Sequence, residues 1–356
     1  MNDLTIRAGK NVYRLIRDGG FSFDAVTTFV GPGVGPRWLI ASGFDLTLLE
    51  HRVLGRRQPL LLAGSSAGAF RFAAWVQPEA TESYRKLIEG YISLHFDRTA
   101  TPKSVLDSLY DITDSYIEND AIPFALANNS YRLAITTAKA RNFVASEFSS
   151  VQRLGLAFCF LFNAMNMSWL SCFFERVVFY NGPIPPQYCL RNGFYGKAIK
   201  LNVANFKYAL LASGAIPLVV AGVKNIYGAP NGVYRDGGLT DYQINQRYAH
   251  NECDVTLLFH HQERIIPGWL DKSLKYRQTK AEFLDNLLMI HPSESFIKKM
   301  PSGKIPDRND FKEYINNPAM RTKNWWRAVE LSAPLGEQFL ELIESGKIRN
   351  VIHEIS

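Results

Sequence analysis

Apolar and polar positions along the chain follow two rhythms. Short apolar stretches rich in β-branched and aromatic residues predict strands at 24–30 (DAVTTFV), 60–63 (LLLA), 131–138 (YRLAITTA), 176–180 (RVVFY) and 254–259 (DVTLLF). Apolar residues spaced three and four apart predict helices between and after them. One covers 38–52, carrying Leu39, Ile40, Phe44, Leu46 and Leu49, and others cover 69–75, 84–94, 103–117 and 206–212. A long amphipathic helix is expected over 321–345, around Trp325, Trp326, Leu331, Phe339 and Leu342. Strands that alternate with helices imply a parallel sheet with helices on both faces. The expected fold is therefore a three-layer α/β/α domain with a central, mostly parallel sheet over residues 20–262. A helical C-terminal part, 263–356, is expected to pack on it.

One stretch breaks both rhythms. Residues 154–174, LGLAFCFLFNAMNMSWLSCFF, carry no charge over about the length that crosses a bilayer. Asn163, Asn166, Ser168 and Ser171 interrupt the run, and Arg153, Glu175 and Arg176 do not form an anchoring pattern. A buried or interfacial helix is expected, not a spanning one.

Composition narrows the class. At 356 residues, 47% apolar and 21% charged, the chain can bury a large core and is not disordered. A net charge of +7 suits an anionic surface. The basic residues are dispersed, without a basic helix, zinc-finger spacing or RNA-binding signature, which argues against nucleic acid as a partner. Cys159, Cys172, Cys189 and Cys253 show no metal or disulfide spacing and read as core thiols of a reducing compartment. The N-terminus lacks the apolar core of a signal peptide. A cytoplasmic protein with peripheral membrane contact is expected, with no metal or organic cofactor; the sequence leaves the oligomeric state open.

Candidate chemistry clusters in three places. Gly64-Ser65-Ser66-Ala67-Gly68 lies between a predicted strand and helix, the setting in which G-x-S-x-G exposes a serine hydroxyl on a sharp turn. Ser66, not Ser65, is centred in the pattern. Gly31-Pro32-Gly33-Val34-Gly35-Pro36-Arg37 joins the first predicted strand to its helix, an arrangement that offers unpaired amides to an anion. It fits no dinucleotide fingerprint, since Pro36 and Trp38 occupy required glycine positions, and it lacks the Gly-Lys-Ser/Thr of a phosphate-binding loop. Asp236-Gly237-Gly238 ends a short strand; in isolation such a triplet is more often only a turn.

Taken in order, the glycine loop, G-x-S-x-G, Ala212-Ser213-Gly214-Ala215-Ile216-Pro217 and Asp236-Gly237-Gly238 resemble the patatin-like phospholipase family over residues 23–259. The resemblance implies a Ser–Asp dyad without histidine: Ser66 as nucleophile, Asp236 as base, with Gly64, Gly68, Gly237 and Gly238 shaping the turns. It places the oxyanion hole in Gly33-Val34-Gly35-Pro36-Arg37-Trp38, where Gly33, Val34 and Gly35 carry amides and Pro36 has none. Arg37 would hold a lipid phosphate or steady the loop. Residues 154–174 would form an apolar lid or acyl channel. The implied activity is cleavage of fatty-acyl esters, of phospholipase A or lysophospholipase type. Two other readings fit the residues. An α/β-hydrolase triad would use Ser66, Asp236 and one of His250, His260, His261 or His291. A non-catalytic protein would bind lipid through its basic surface and apolar segment.

Overall fold

A computed structural model describes residues 3–190 and 196–355. Among the described residues eleven strands form a single sheet. They are β1 (Leu4–Ala8), β2 (Val26–Gly31), β3 (Leu60–Ser65), β4 (Tyr131–Ala140), β5 (Phe174–Tyr180), β6 (Gly196–Lys200), β7 (Val223–Lys224), β8 (Val233–Asp236), β9 (Val255–Phe259), β10 (Leu287–Pro292) and β11 (Ile352–Glu354). Along the main path the order is β11-β1-β10-β9-β2-β3-β4-β5-β6, with β8 beside β4 and β7 beside β8. From β10 to β4 every pairing is parallel. The chain starts this block at β2, builds outward through β3 and β4, and returns to β2's other side with β9. Loops after β2 and β9 therefore diverge at one end of the sheet, where open α/β folds hold their ligands.

Alternation along each strand shows that both faces are covered. Phe29, Leu62, Leu133, Ile135 and Leu257 belong to one core cluster, whereas their neighbours Val30, Ala63, Ala134 and Leu258 belong to another. Period-two segregation of side chains with both sets buried is the signature of a middle layer. Helices α1 (Lys10–Gly19), α2 (Ser42–Glu50), α3 (Ala67–Trp75), α4 (Ala80–Ser93), α5 (Pro102–Tyr116), α6 (Ile122–Ala127) and α8 (Phe206–Ser213), with Pro318–Ser332 and Pro334–Glu344, feed the first cluster. The second is closed by shorter segments bearing Tyr188, Ile244, Tyr248 and Phe283. The architecture is three-layer α/β/α. Helix α7 (Ser149–Met165) packs apart from both, on a third cluster with Leu156, Cys159, Leu170 and Phe174.

The structure corrects several expectations. The helix expected over 321–345 is two helices, Pro318–Ser332 and Pro334–Glu344, because Pro334 has no amide to donate and its ring displaces the preceding turn. The helix expected from residue 38 begins as a 3-10 turn, Gly35–Ala41, before α2. Residues 263–356 include the expected helices and add strands to them. They supply β10, wedged between β1 and β9, and β11 at the sheet edge, so they share one sheet with residues 20–262. Cys159 and Cys189 are buried core thiols, but Cys172 and Cys253 are exposed. Residues 154–174 divide into α7, a 3-10 turn and the start of β5, and no described helix is long and apolar enough to cross a membrane.

Candidate active site

Ser66 sits where β3 turns into α3, with φ 50° and ψ −126°, a conformation that a side chain with a Cβ adopts only under strain. Close packing holds it there. Gly68, in the first turn of α3, rests on Gly31 at the end of β2, and a Cβ at Gly68 would collide with the Gly31 carbonyl. The Ser66 amide donates to Ser213 Oγ at 2.8 Å, and that hydroxyl donates to the Thr136 carbonyl at 2.7 Å. The last residue of α8 is thus pinned between the turn and β4. Ser65 commits its hydroxyl to the Asp241 carbonyl at 2.7 Å.

β4 brings the carboxylate in. Along one edge it serves two strands in succession, β3 running parallel and β8 antiparallel. Their ends meet head to head, with Ser65 opposite Thr136 and Asp236 opposite Thr137. Residues 170 apart in sequence thereby come into contact, and Ser66 Oγ donates to Asp236 Oδ2 at 2.7 Å. The Gly238 amide donates to Asp236 Oδ1 at 2.7 Å, and the Asp236 amide donates to the Ala215 carbonyl at 3.0 Å. Gly237 lies flat on the Thr136 carbonyl, leaving no room for a Cβ. The Ala212–Pro217 segment therefore steadies both partners, one through Ser213 and the other through Ala215.

Burial raises the Asp236 pKa above its ordinary value. The hydrogen bonds from Ser66 and Gly238, and then the charges of Arg308 and Lys272, pull it back. Both Asp236 oxygens are taken by Ser66 and Gly238; among the described residues no histidine bonds to Ser66 or Asp236. His260 and His261 are buried at the end of β9 and His291 at the end of β10, and burial lowers all three. His250 is exposed.

The glycine loop reaches Ser66, with an altered set of free amides. Gly33 donates its amide to the Tyr242 carbonyl at 2.7 Å and Val34 to the Pro32 carbonyl at 3.0 Å. Gly35, at φ 58°, and Ala67 are the first residues of their helical turns, where an amide has no acceptor inside the helix. Both line the cavity in front of Ser66. Arg37 is partly exposed and lies 3.7 Å from Asp307.

That cavity is apolar and holds about 580 Å³, walled by Trp38, Phe70, Leu94, Phe96, Val105 and Leu109 among others. Its rim includes Leu218 and Val219, both exposed. A second pocket of about 10 Å³ lies between Gly33, Ser66, Asp236 and Arg308.

Two neighbours of the site were invisible to motif reading. Arg308 lines both of these spaces and a third, polar one of about 180 Å³ shared with Arg37, Lys272 and Tyr242. Lys272 lies 4.4 Å from the centre of the Tyr242 ring. Burial of its ammonium group, then Arg308 and Arg37, lower Lys272 to about 7, against a smaller upward pull from Asp236. Arg308 and Lys272 stand in a charged stretch with no motif, and only the fold carries them to Ser66.

No family model matches the chain, and no curated protein does. Of four solved chains that match, one is human GIVD cytosolic phospholipase A2, with a TM-score of 0.40 and 11% identity. The match covers 95% of this chain and 63% of that one, so the chain spans less than two thirds of that protein's length.

Proposed function

We propose that the protein is a serine acyl hydrolase of the patatin-like kind, cleaving fatty-acyl esters of lipids through an acyl-enzyme on Ser66. The observation that carries this reading is the 2.7 Å hydrogen bond from the hydroxyl of a strained Ser66 to buried Asp236, at the mouth of an apolar cavity. Asp236 takes the proton as Ser66 attacks the ester carbonyl. A carboxylate raised by burial suits that task better than one in water, because its basicity approaches the working pH. The oxyanion is received by the free amides of Gly35 and Ala67, the latter at the positive end of α3. Gly33 and Val34 shape the loop. The leaving alcohol departs with a proton returned by Asp236, and the acyl chain stays in the 580 Å³ cavity. Water then enters beside Asp236, where a pocket of about 10 Å³ is of the order of one molecule. Asp236 again acts as base, releasing the fatty acid.

Two features bear on the rival readings. The triad needs a histidine on the carboxylate, and the hydrogen bonds of Asp236 leave none there. Lipid contact without chemistry would not require the strained turn. We assign the outward face of α7 to contact with a lipid surface, since its exposed apolar residues lie near the exposed rim residues Leu218 and Val219. The two are tied by the Leu218 amide donating to Gln152 Oε1 at 2.7 Å.

The deciding experiment is labelling of the purified chain by a fluorophosphonate probe. Wild type should label, Ser66→Ala should not, and Asp236→Asn should label at least a hundredfold more slowly. Equal labelling of the Ser66→Ala protein would end the proposal.

A further inference from the structure

The chain that follows Asp236 is buried without being regular. Residues 241–249 form neither helix nor strand, yet all but Asn245 and Arg247 are buried. No ladder of backbone bonds fixes such a segment, so its place depends on side-chain anchors. One anchor is a buried ion pair. Arg176, on β5, donates from Nε to Asp241 Oδ2 at 2.7 Å and from Nη2 to Oδ1 at 2.8 Å, and the two side chains are 1% and 3% exposed. Gln246 Nε2 donates to Asp241 Oδ1 at 3.1 Å. Paired bonds from a planar guanidinium fix orientation as well as distance. Along β5, Arg176 falls on the face of Val178 and Tyr180, which belong to the second core cluster. Trp38 and Phe70, walls of the apolar cavity, belong to the first. The pair therefore lies across the sheet from that cavity, and an acyl chain bound there does not meet it.

From this anchor the backbone reaches each part of the site. The Asp241 amide donates to the Gly237 carbonyl at 2.9 Å, bracing the turn in which Gly238 holds Asp236. The Asp241 carbonyl accepts the Ser65 hydroxyl, next to the nucleophile, and the Tyr242 carbonyl accepts the Gly33 amide of the glycine loop. We propose that Arg176 and Asp241 are positioning residues for the Ser66 reaction, their ion pair fixing one segment that sets the base, the nucleophile turn and the glycine loop relative to one another. This rests on the acyl-hydrolase reading. A buried ion pair adds little to stability over an apolar pair of similar volume, so stability alone does not call for one here. Reaction geometry does, because a displacement of about 1 Å can cost about a hundredfold in rate. Loss of the paired bonds should leave binding in the apolar cavity intact and lower kcat.

The test removes both charges, since removing one leaves the other buried and unpaired. Arg176→Met with Asp241→Asn roughly keeps the volume and keeps an acceptor for Gln246, so it should melt close to wild type and above either single variant. On a p-nitrophenyl acyl ester its kcat should fall by about tenfold or more, with KM within about twofold of wild type. Arg176→Lys, which keeps the charge without the planar pair of donors, should fall in between. Hydrogen exchange needs no turnover. In the double variant it should be faster than in wild type over 31–37 and 236–242, and unchanged over α1. A folded double variant with wild-type kcat overturns the proposal, and so does a loss of activity carried by KM or one with exchange over 31–37 unaltered. Should the double variant not fold, Ser65→Ala decides: it cuts the link to the nucleophile turn and leaves the ion pair in place. It should lower kcat about threefold or more at unchanged KM, and an unaltered kcat overturns the proposal. A wild-type chain that neither cleaves the ester nor takes a fluorophosphonate ends the acyl-hydrolase reading, whereas faster exchange in its double variant still upholds the ion pair as the anchor of the three segments.

Discussion

At the scale of single residues, the chemistry depends on how strongly Asp236 holds its proton. Burial raises its pKa, and Ser66, Gly238, Arg308 and Lys272 lower it, with burial the largest influence. The base must be ionised to accept the serine proton. Activity on a small neutral ester should therefore rise with pH along a limb lying above the usual carboxylate value of about 3.9. Lys272→Gln removes a charge that favours the ionised form, so that limb should move to higher pH. A profile of kcat/KM between pH 4 and 8 tests it, and a limb that stays put or moves lower would count against Asp236 as base. Ser213 makes a separate case. Ser213→Ala leaves the buried Ser66 amide without an acceptor, which should cost about 1–3 kcal/mol in urea unfolding. Ser66, Asp236 and the Ala-Ser-x-Ala-x-Pro segment were legible because each lies in a local pattern whose glycines and small residues reflect backbone demands. The amide donors were less so: whether Gly33 or Gly35 is free depends on Tyr242, far along the chain. Arg308 and Lys272 look, in sequence, like any cations on a solvated face.

At the scale of elements, α7 is inside out. Leu154, Phe158, Leu161, Phe162 and Met165 fall on one stripe at three-and-four spacing, and all are exposed. The opposite face, turned to the protein, carries Gln152, Gly155, Leu156, Cys159 and Asn163. Polar anchors hold it: Asn163 Nδ2 donates to the buried Asp271 Oδ1 at 2.6 Å, and Gln152 Nε2 to the Ser146 carbonyl at 2.8 Å. On the proposed acyl-hydrolase function, a lipid aggregate is the occupant to test for this stripe, given its place near the cavity rim and the chain's charge of +7. Burying one such side chain in lipid is worth about 1.5–3 kcal/mol. Phe158→Ser with Leu161→Ser should therefore weaken binding to anionic phosphatidylglycerol vesicles at least tenfold, with stability changed by less than about 1 kcal/mol. Unchanged vesicle binding would exclude this face. A wild-type dimer in solution that the double variant dissolves would instead assign it to a second copy. The sequence showed the uncharged run and its polar interruptions, but not which way the stripe faces. It also concealed β1 and β10. LLMIHP is a short apolar run that periodicity alone does not separate from a helix, and it pairs both with β9, about 30 residues earlier, and with β1, nearly the whole chain away.

At the scale of the whole molecule, the parallel block was legible because β2, β3, β4 and β9 are each apolar on both faces, whereas its closure by β10 and β11 depends on contacts across almost the full chain length. That closure buries His260 and His261 at the end of β9 and His291 at the end of β10. Burial drives His260 down to about 3 and lowers His261 and His291 as well. In the unfolded chain these rings titrate near 6.5. Above that pH neither state binds the protons and the histidines do not affect stability. Below it the unfolded chain takes up protons that the folded one refuses, so stability falls as pH falls, toward a folded value near 3 for His260. Each fully mismatched histidine contributes a slope of about 1.4 kcal/mol per pH unit, so His260 and His261 together approach about 2.7. The raised carboxyl of Asp236 acts in the opposite sense, since its folded form holds a proton more tightly than the unfolded chain does. The histidines should nonetheless govern the upper part of the range, above the raised value of the folded carboxyl, where Asp236 is ionised in both states. Urea unfolding at pH 7.5, 6.5 and 5.5 should show a midpoint that changes little over the first step and drops over the second. Replacing His260 and His261 together by Gln should flatten the second step. Equal wild-type stability at 6.5 and 5.5 would mean that these rings are hydrated in solution, and that the end of the sheet bearing the candidate site is open to water.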